Sequence, residues 1–551
     1  MHSRYDPAEQ MIRRPFSSPG YHTTLKGGDV HPTRDSLEYA VALLDTGEPD
    51  LLKRAEAILR RVIALQDQNP ESKTYGIWSW FLEEPLDKMS PPDWNWADFC
   101  GAQLLQVARD HRRRLLPDLA AQVDTAIRHA ARSIQRRNVG PGYTNIAIMG
   151  TYVTLACAEM YQIDDLREYA MKRLRTFHAY TKRQGAFSEY NSPTYTVVAL
   201  KELGRMRAQV QDPEARKLVE EIYRVAWEEI ARHFHPPTRQ WAGPHSRCYR
   251  TLLASSTLAL IQRSTEGRVR FYADPPPPAL DEHRVSTPCP QDLETFFITL
   301  DSPREYVETF VQDDPAIIGT TYLAPQFALG SVNRGDLWNQ RRSLVAYWGN
   351  AEGPCYLHVR CLHDGYDFAD AQFFSVQRGG CVLAGVNFAT DGGDTHVSLD
   401  RIKNATIRAK DLRLRFEFGG EAGRTAFYSP ASLSDPTDLR FGDLRLRLAV
   451  PYARFGPAQG RWQTGRDESK KIAWSDVVLY SGAEKEIRLD ELEQAVIGLA
   501  VCFSTSEGPA PVTKADVKEG LLSLAMEEPK LRLSLPVRPG KAGALHKRFQ
   551  P

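Results

Sequence analysis

The sequence predicts an α+β multidomain chain in which a helical domain precedes a large antiparallel β domain. Three observations predict this. Residues from about 34 to 262 read as one amphipathic segment after another. The run Asp274-Pro275-Pro276-Pro277-Pro278 then forms a stiff, extended spacer. Beyond it the apolar residues recur with period two. Domain borders follow: an N-terminal arm at 1–33, the helical domain at 34–265, a Pro-rich linker at 266–280 and the β domain at 281–551.

Taken in order, helices are expected at 34–46, 50–68, 94–113, 117–137, 145–162, 163–183, 194–208, 212–235 and 246–262. The second, LLKRAEAILRRVIALQ, places apolar residues at i, i+3, i+4 and i+7, which lines one helix face with them. Pro70, Pro91-Pro92, Gly140-Pro141-Gly142, Pro213 and Pro236-Pro237 break the segments apart. In the second half, REYVETFVQ, RSLVAYWG, LRLRFEFG and LRLRLAV alternate apolar with polar and are separated by Gly, Asp, Asn and Pro. Many short alternating strands predict antiparallel sheets packed as a sandwich.

The chain has 551 residues and a formal net charge of +1. Its 70 basic and 69 acidic residues remove the electrostatic argument for nucleic acid or an anionic membrane as partner. The length gives ample core without staples. Cys100, Cys157, Cys248, Cys289, Cys355, Cys361, Cys381 and Cys502 form no CxxC pair and no metal-ligand spacing. Buried free thiols are therefore expected, not a disulfide framework or a metal centre. No apolar run of about 18 residues is present to span a bilayer. The start, MHSRYDPAEQMIRRPF, lacks the apolar core of a signal peptide. That reads as cytoplasmic, and a trimmed secreted or periplasmic chain would read the same. Oligomeric state is not legible.

Every second helix opens at nearly the same phase: near Asn95, Asn145, Tyr195 and His245, in steps of 50 residues. Two helices and two loops fill such a repeat, the signature of stacked helical hairpins. Closed into a ring, alternate helices form an inner and an outer layer, and the inner N-termini share one face. Those ends carry roughly half a positive charge each and unpaired N–H groups, which attract an anion such as a sugar carboxylate. The same field favours a nearby phenolate. The plain alternatives are that Asn145 is an N-cap and Tyr195 a core aromatic. Ser192-Pro193 is itself a cap followed by proline at the first helical position, which puts Tyr195 in the first turn. His245, in Gly243-Pro244-His245-Ser246-Arg247, is harder to explain by packing.

Trp78, Trp80, Trp94 and Trp96 cluster in two neighbouring loops. Their faces suit the apolar C–H faces of sugar rings, and they equally suit a helical core. The run Asn333-Arg334-Gly335-Asp336-Leu337-Trp338-Asn339-Gln340-Arg341-Arg342 is polar and aromatic enough to border a cleft, but reads first as a hairpin turn with solvated arginines.

The stretch Gly185-Ala186-Phe187-Ser188-Glu189-Tyr190-Asn191-Ser192-Pro193-Thr194-Tyr195 resembles the (E)xxSPxY motif of heparinase II/III-like polysaccharide lyases and their alginate-lyase relatives. The resemblance implies an N-terminal incomplete α/α toroid followed by a C-terminal antiparallel β-sandwich domain. It implies that Tyr195 is the catalytic tyrosine and that Asn145 holds the uronate carboxylate. It also implies a histidine from the β domain, for which His396, His363 and His358 are candidates, with His396 favoured for its Asp/Gly-rich loop. Asn95, Trp80, Trp94, Trp96, Glu189 and Tyr190 are expected to line the substrate cleft.

The implied reaction is β-elimination at a 1,4-linked uronate, in an oligo- or polysaccharide. The carboxylate is neutralised by Asn145 with His245 or Arg247, so that the proton on carbon 5 becomes acidic. A base removes that proton and an acid protonates oxygen 4. The resemblance implies that one tyrosine can do both jobs, and Tyr195 is expected to be that tyrosine, with His245 as the alternative base and no metal or organic cofactor. A competing reading is an inverting glycoside hydrolase on an α/α toroid, using Asp98 and Glu189 as its carboxylate pair. A second is a non-catalytic carbohydrate-binding protein that keeps the tryptophans and dispenses with Tyr195 and His245.

Overall fold

The computed structural model describes residues 1–392, 402–424, 430, 432–505 and 512–551. The chain forms two compact units. One comprises Met1–Lys182, Val197–Ala226 and Tyr272–Pro288, and the other Arg183–Thr196, Trp227–Phe271 and Cys289–Pro551.

The first unit is built on helices α1 (Thr33–Thr46), α2 (Pro49–Ile63), α3 (Trp96–Gln106), α4 (Pro117–Arg137), α5 (Thr144–Tyr161) and α6 (Asp164–Gln184). Proline at the first turn sets the starts of α2 and α4, where its missing N–H costs nothing. In α2 the buried residues are Ala55, Ile58, Leu59, Val62 and Ile63, one face of a helix. Helix α4 ends where Asn138 takes a left-handed conformation, φ +46°. Packing alternates: α1 lies against α2 and α3, α3 against α4 and α5, and α2 against α4. Helix α5 is buried on every side from Thr144 to Ala158, as an enclosed layer requires. Each large aliphatic side chain so buried contributes about 1.5–3 kcal/mol. Helix α7 (Tyr195–Gln209) begins in the second unit and continues in the first, and α8 (Pro213–His233) begins in the first and ends in the second.

The proline run is not a free linker. It belongs to the 272–288 segment, which groups with the helical unit. Glu282 pairs with Lys201 at 2.6 Å, Asp281 lies 3.5 Å from Arg205, and Arg284 pairs with Asp45 and Asp110. Pro288 accepts a 2.8 Å bond from the Tyr223 hydroxyl. Borders at 265/266 and 280/281 therefore give way to a strap fastened onto the helices by ion pairs.

The second unit is a sandwich of two antiparallel sheets. One has the spatial order 461–467, 472–488, 406–420, 354–363, 344–349, 327–332, 317–324 and 304–311, with 366–367 paired to 354–363. The other runs 334–336, 371–378, 381–388, 495–504, 444–455 and 437–441, with 458–459 paired to 444–455. Between them lies a continuous core that includes Leu329, Leu357, Phe416, Phe373, Val386 and Ile497. The outer face of the second sheet is covered by a three-stranded meander (513–518, 521–526, 531–536) and by Leu545 and Phe549. Ala242 and Leu252 pack against Leu323, Ala328, Val345, Tyr347 and Tyr356 of the first sheet.

That last contact overturns one helix. Residues 246–254 are not helical, and α9 spans only Ser255–Ser264. The 50-residue phase therefore holds at α3, α5 and α7 but not at His245. There the chain lies on the sheet instead: His245 and Arg342 exchange backbone hydrogen bonds (3.1 and 2.9 Å), and Thr321 Oγ1 donates to the Gly243 carbonyl at 2.7 Å. Gly330 lies directly beneath Gly243, with no room for a Cβ.

Cysteine usage is also corrected. Cys381 and Cys502 face each other across adjacent strands, with Cα atoms 4.2 Å apart, and are joined as a disulfide. The other six are free and buried.

Candidate active site

The site grows from the segment that follows α6. Ser192 caps α7: its Oγ accepts the Tyr195 N–H at 3.0 Å and its hydroxyl donates to the Arg247 carbonyl at 2.6 Å. Asn191, at φ +42°, is fully enclosed. Its amide donates to the carbonyls of Ala242 and Pro244, both at 2.8 Å, and accepts the Trp241 indole N–H at 2.5 Å. Ser246 donates from both N and Oγ to the Tyr190 carbonyl. The 241–247 turn is thus fastened to 190–192 on one side and to the 338–342 turn on the other, where the Cys248 N–H reaches the Gln340 carbonyl at 2.6 Å.

These attachments aim one guanidinium. Arg247 donates from Nη2 to the Tyr195 hydroxyl (2.9 Å), from Nη1 to Glu189 Oε1 (3.1 Å) and from Nε to Gln340 Oε1 (2.9 Å). Its Cζ lies 4.7 Å from the Tyr195 ring centre and 4.9 Å from that of Trp338, within cation–π range. The Tyr195 and Tyr249 hydroxyls are 2.8 Å apart. The Glu189 and Arg247 side chains are 10% and 16% exposed, whereas Tyr249 is 54% exposed. The cluster therefore opens to solvent at its tyrosine end. Burial pushes the Tyr195 phenol well above its ordinary value, and the Arg247 charge pulls it back down.

His245 does not join this cluster. It is 1% exposed, and its Nδ1 donates to the Asn191 carbonyl at 2.7 Å. Burial lowers it to about 3, so the ring is neutral, with Nε2 left unpartnered among the described residues. No hydrogen bond joins it to Tyr195, Arg247 or Tyr249 among the described residues. It stands outside the hydrogen-bonded cluster around the Tyr195 hydroxyl. Tyr190 is buried and stacked on Phe310 at 4.1 Å between centres, with its phenol pushed up to about 12 by burial.

Of the β-domain histidines, His358 is buried and held well below its ordinary value by burial first, with the Arg342 and Arg360 charges adding to it. His363 bonds to the Arg408 carbonyl at 2.9 Å at the end of its strand. His396 lies outside the described residues. None of the described histidines contacts the Tyr195 hydroxyl, where only Arg247 and Tyr249 do so among the described residues.

The remaining candidates belong to the first unit. Trp80 and Trp96 lie 5.2 Å apart and tilted, with their N–H groups donated to Asp93 (3.1 Å) and the Thr33 hydroxyl (2.9 Å). His22 packs on Trp80 at 5.3 Å. The Trp94 indole donates to the Lys73 carbonyl at 3.2 Å. These indoles are partly exposed, whereas Trp78 is buried. Asn95 makes no side-chain cap to α3; it accepts from Arg137 at 2.6 Å and donates to the Tyr143 hydroxyl at 3.2 Å. Asn145 is buried in the first turn of α5 with Oδ1 unpartnered among the described residues. Asp98 is 2% exposed against α5, where burial pushes it up to about 7 against the pull of Arg173 and Arg137. Asp98 belongs to the first unit, and Glu189, bonded to Arg247, to the second.

Tyr249, Gln340 and Trp338 were not singled out as site residues by sequence. Tyr249 stands two residues beyond Arg247, an alternation visible in HSRCYR, but Gln340 reaches Arg247 from 93 residues away. The 333–342 run is also not solvated as expected, since Arg342 is buried. Among the described residues no group of three or more His, Cys, Asp or Glu is placed to hold a metal ion. No described helix is long and apolar enough to cross a membrane.

A family model described as a domain of unknown function (DUF8769) matches residues 14–267. No curated protein matches the sequence. Among solved structures, the chain is similar to heparinase III at 10% identity, covering 94% of this chain and 84% of that one, with a TM-score of 0.44. It is similar to the Streptomyces coelicolor A3 chondroitin AC lyase in complex with chondroitin sulphate at 12% identity, covering 91% and 80%, TM-score 0.48. A Paenibacillus xanthan lyase matches at 11% identity, covering 97% and 59%, TM-score 0.42. These are likenesses of fold, and any function must be argued from the side chains.

Proposed function

We propose that this chain is a polysaccharide lyase that cleaves a uronate-containing glycan by β-elimination, with Tyr195 as the group that takes the proton from carbon 5. The observation that carries the reading is the Arg247 guanidinium bonded to the Tyr195 hydroxyl while Glu189 and Gln340 fix its direction. A donor held in advance toward an oxygen that becomes negative lowers the cost of that charge without reorganisation. Three of the five N–H groups of Arg247 are used, leaving one on each Nη for the uronate carboxylate. Neutralising that carboxylate is what acidifies the carbon 5 proton.

Trp94, partly exposed and with its indole N–H already satisfied, is proposed to offer its face to a sugar ring, while Trp80 and Trp96 pack on one another. The test is the ultraviolet absorbance of the unsaturated uronate, followed over time on alginate, glucuronan, chondroitin and heparan sulfate. A rise with the native chain that is lost in Tyr195→Phe is the expected result. New reducing ends without that absorbance, or a Tyr195→Phe variant as active as the native chain, would remove the proposal.

A further inference from the structure

We infer that Tyr249 is the general acid of this reaction, and that it exchanges its proton with Tyr195 through the hydrogen bond that joins the two hydroxyls. The inference rests on the lyase reading above. The two oxygens are 2.8 Å apart, and the rings are tilted by 52° with centres 6.2 Å apart. Tyr249 is 54% exposed, yet its hydroxyl is directed inward to Tyr195. An exposed aromatic with its polar end turned into a charged cluster is placed to meet a ligand from the solvent side.

Elimination among the neighbours leads to the same residue. Arg247 touches the Tyr195 oxygen but does not give up a proton in proteins. Glu189 is committed to Arg247, and His245 is buried, neutral and turned toward the Asn191 carbonyl. Of the groups bonded to the Tyr195 hydroxyl among the described residues, Tyr249 alone carries a transferable proton.

The protons and electrons then balance in a closed cycle. The Tyr195 phenolate, accepting from both Arg247 and Tyr249, takes the proton from carbon 5. The electrons of the broken C–H bond form the carbon 4–carbon 5 double bond, and the bond from carbon 4 to oxygen 4 breaks. Oxygen 4 takes the Tyr249 proton and leaves as an alcohol. Tyr195, now neutral, returns its proton to the Tyr249 phenolate across the 2.8 Å bond. The reacting atoms sit on adjacent carbons, so two hydroxyls in contact can face both from one side of the ring. No proton need come from solvent.

The discriminating experiment varies the leaving group. Native chain, Tyr195→Phe and Tyr249→Phe are each assayed on the uronate polymer cleaved best by the native chain and on a uronate carrying 4-nitrophenoxide at carbon 4. Nitrophenoxide leaves without protonation, so it needs a base but no acid. Tyr249→Phe is expected to lose about 10²–10⁴-fold on the polymer. On the nitrophenyl ether it should lose at least about tenfold less than on the polymer, keeping only the cost of the hydrogen bond it gives the Tyr195 oxygen, whereas Tyr195→Phe fails on both. Equal losses of Tyr249→Phe on the two substrates, or no loss on the polymer, overturn the acid role while leaving the lyase reading intact. Full activity of Tyr195→Phe, or a native chain inert on both substrates, removes the lyase reading and the acid role with it.

Discussion

Replacing Arg247 by glutamine removes the cation that donates to the Tyr195 oxygen at 2.9 Å. A hydrogen bond to a charged group contributes about 1.5–3 kcal/mol, and about 1.36 kcal/mol corresponds to one pH unit of ionisation, so the Tyr195 phenol should rise by roughly 1–2 units. The proposed elimination needs the phenolate, and burial holds the Tyr195 phenol above its ordinary value, so the rate should climb with pH only on the alkaline side, as Tyr195 ionises. In Arg247→Gln the climb should start about 1–2 pH units later, leaving the rate about 10–100-fold low at a fixed pH on that limb. Glu189→Gln gives the opposite sign, because the Glu189 charge raises the Tyr195 phenol and its removal moves the limb to lower pH. The assay is the pH–rate profile of alkene formation, with circular dichroism confirming that each variant is folded. That check matters because Arg247→Gln leaves Glu189 partly buried without its cation, which costs stability as well. If Arg247→Gln loses activity but its limb does not move, Arg247 does not act through the ionisation of Tyr195.

Two further outcomes concern the scaffold. Gly330→Ala forces a Cβ into the Gly243 carbonyl and the Pro244 nitrogen, an overpacking against backbone worth at least about 1–3 kcal/mol. It should lower both the thermal midpoint and the rate, whereas Gly543→Ala, which meets nothing within 4 Å, should do neither. The second concerns Asp98, held at about 7 in the folded chain against roughly 3.9 when unfolded. A raised folded value means that the proton stabilises the fold fully below about pH 4, and that this is lost as pH climbs through about 7. Asp98→Asn should therefore flatten the thermal midpoint against pH over that window and exceed the native chain above it. Glu229, also pushed up to about 7 by burial, should keep a residual slope that Glu229→Gln removes. An unchanged slope in Asp98→Asn would refute the assignment.

Sequence periodicity served the helices well because their information is local. Pro49, Pro117 and Pro213 mark first turns, and the expected 117–137 helix is found at those residues. It failed at 246–262 because what decides that segment is long-range: Gly243 seated over Gly330, and His245 paired with Arg342, almost a hundred residues later in the chain. The same failure shaped the site. Ser192-Pro193 carries local instructions for a helix start, so Tyr195 could be placed from sequence. His245, in a Gly-Pro-His-Ser-Arg turn, has no packing partner among its sequence neighbours. Its partner is the Asn191 carbonyl, 54 residues upstream. Gln340 and Trp338 read as hairpin residues until the 338–342 turn is laid beside Arg247.

The energetics of the Glu189–Arg247 pair bear on what it is for. Taking two charges out of water offsets most of their mutual attraction, so a part-buried ion pair is a weak source of stability. An apolar pair of similar volume would hold the 190–192 and 241–247 segments together as well, since Asn191, Ser192 and Ser246 already fasten them through backbone carbonyls. What the apolar pair would lack is direction. Glu189 and Gln340 hold the guanidinium plane from two sides, so that Nη2 faces the Tyr195 oxygen before any ligand arrives. Lysine in place of Arg247 would keep the charge but not this fork, and its ammonium would have to choose among three partners. A charge costly to bury, fixed in direction and set beside two tyrosine hydroxyls at the solvent-facing end of its cluster, is what the proposed elimination requires, because there that oxygen becomes an anion.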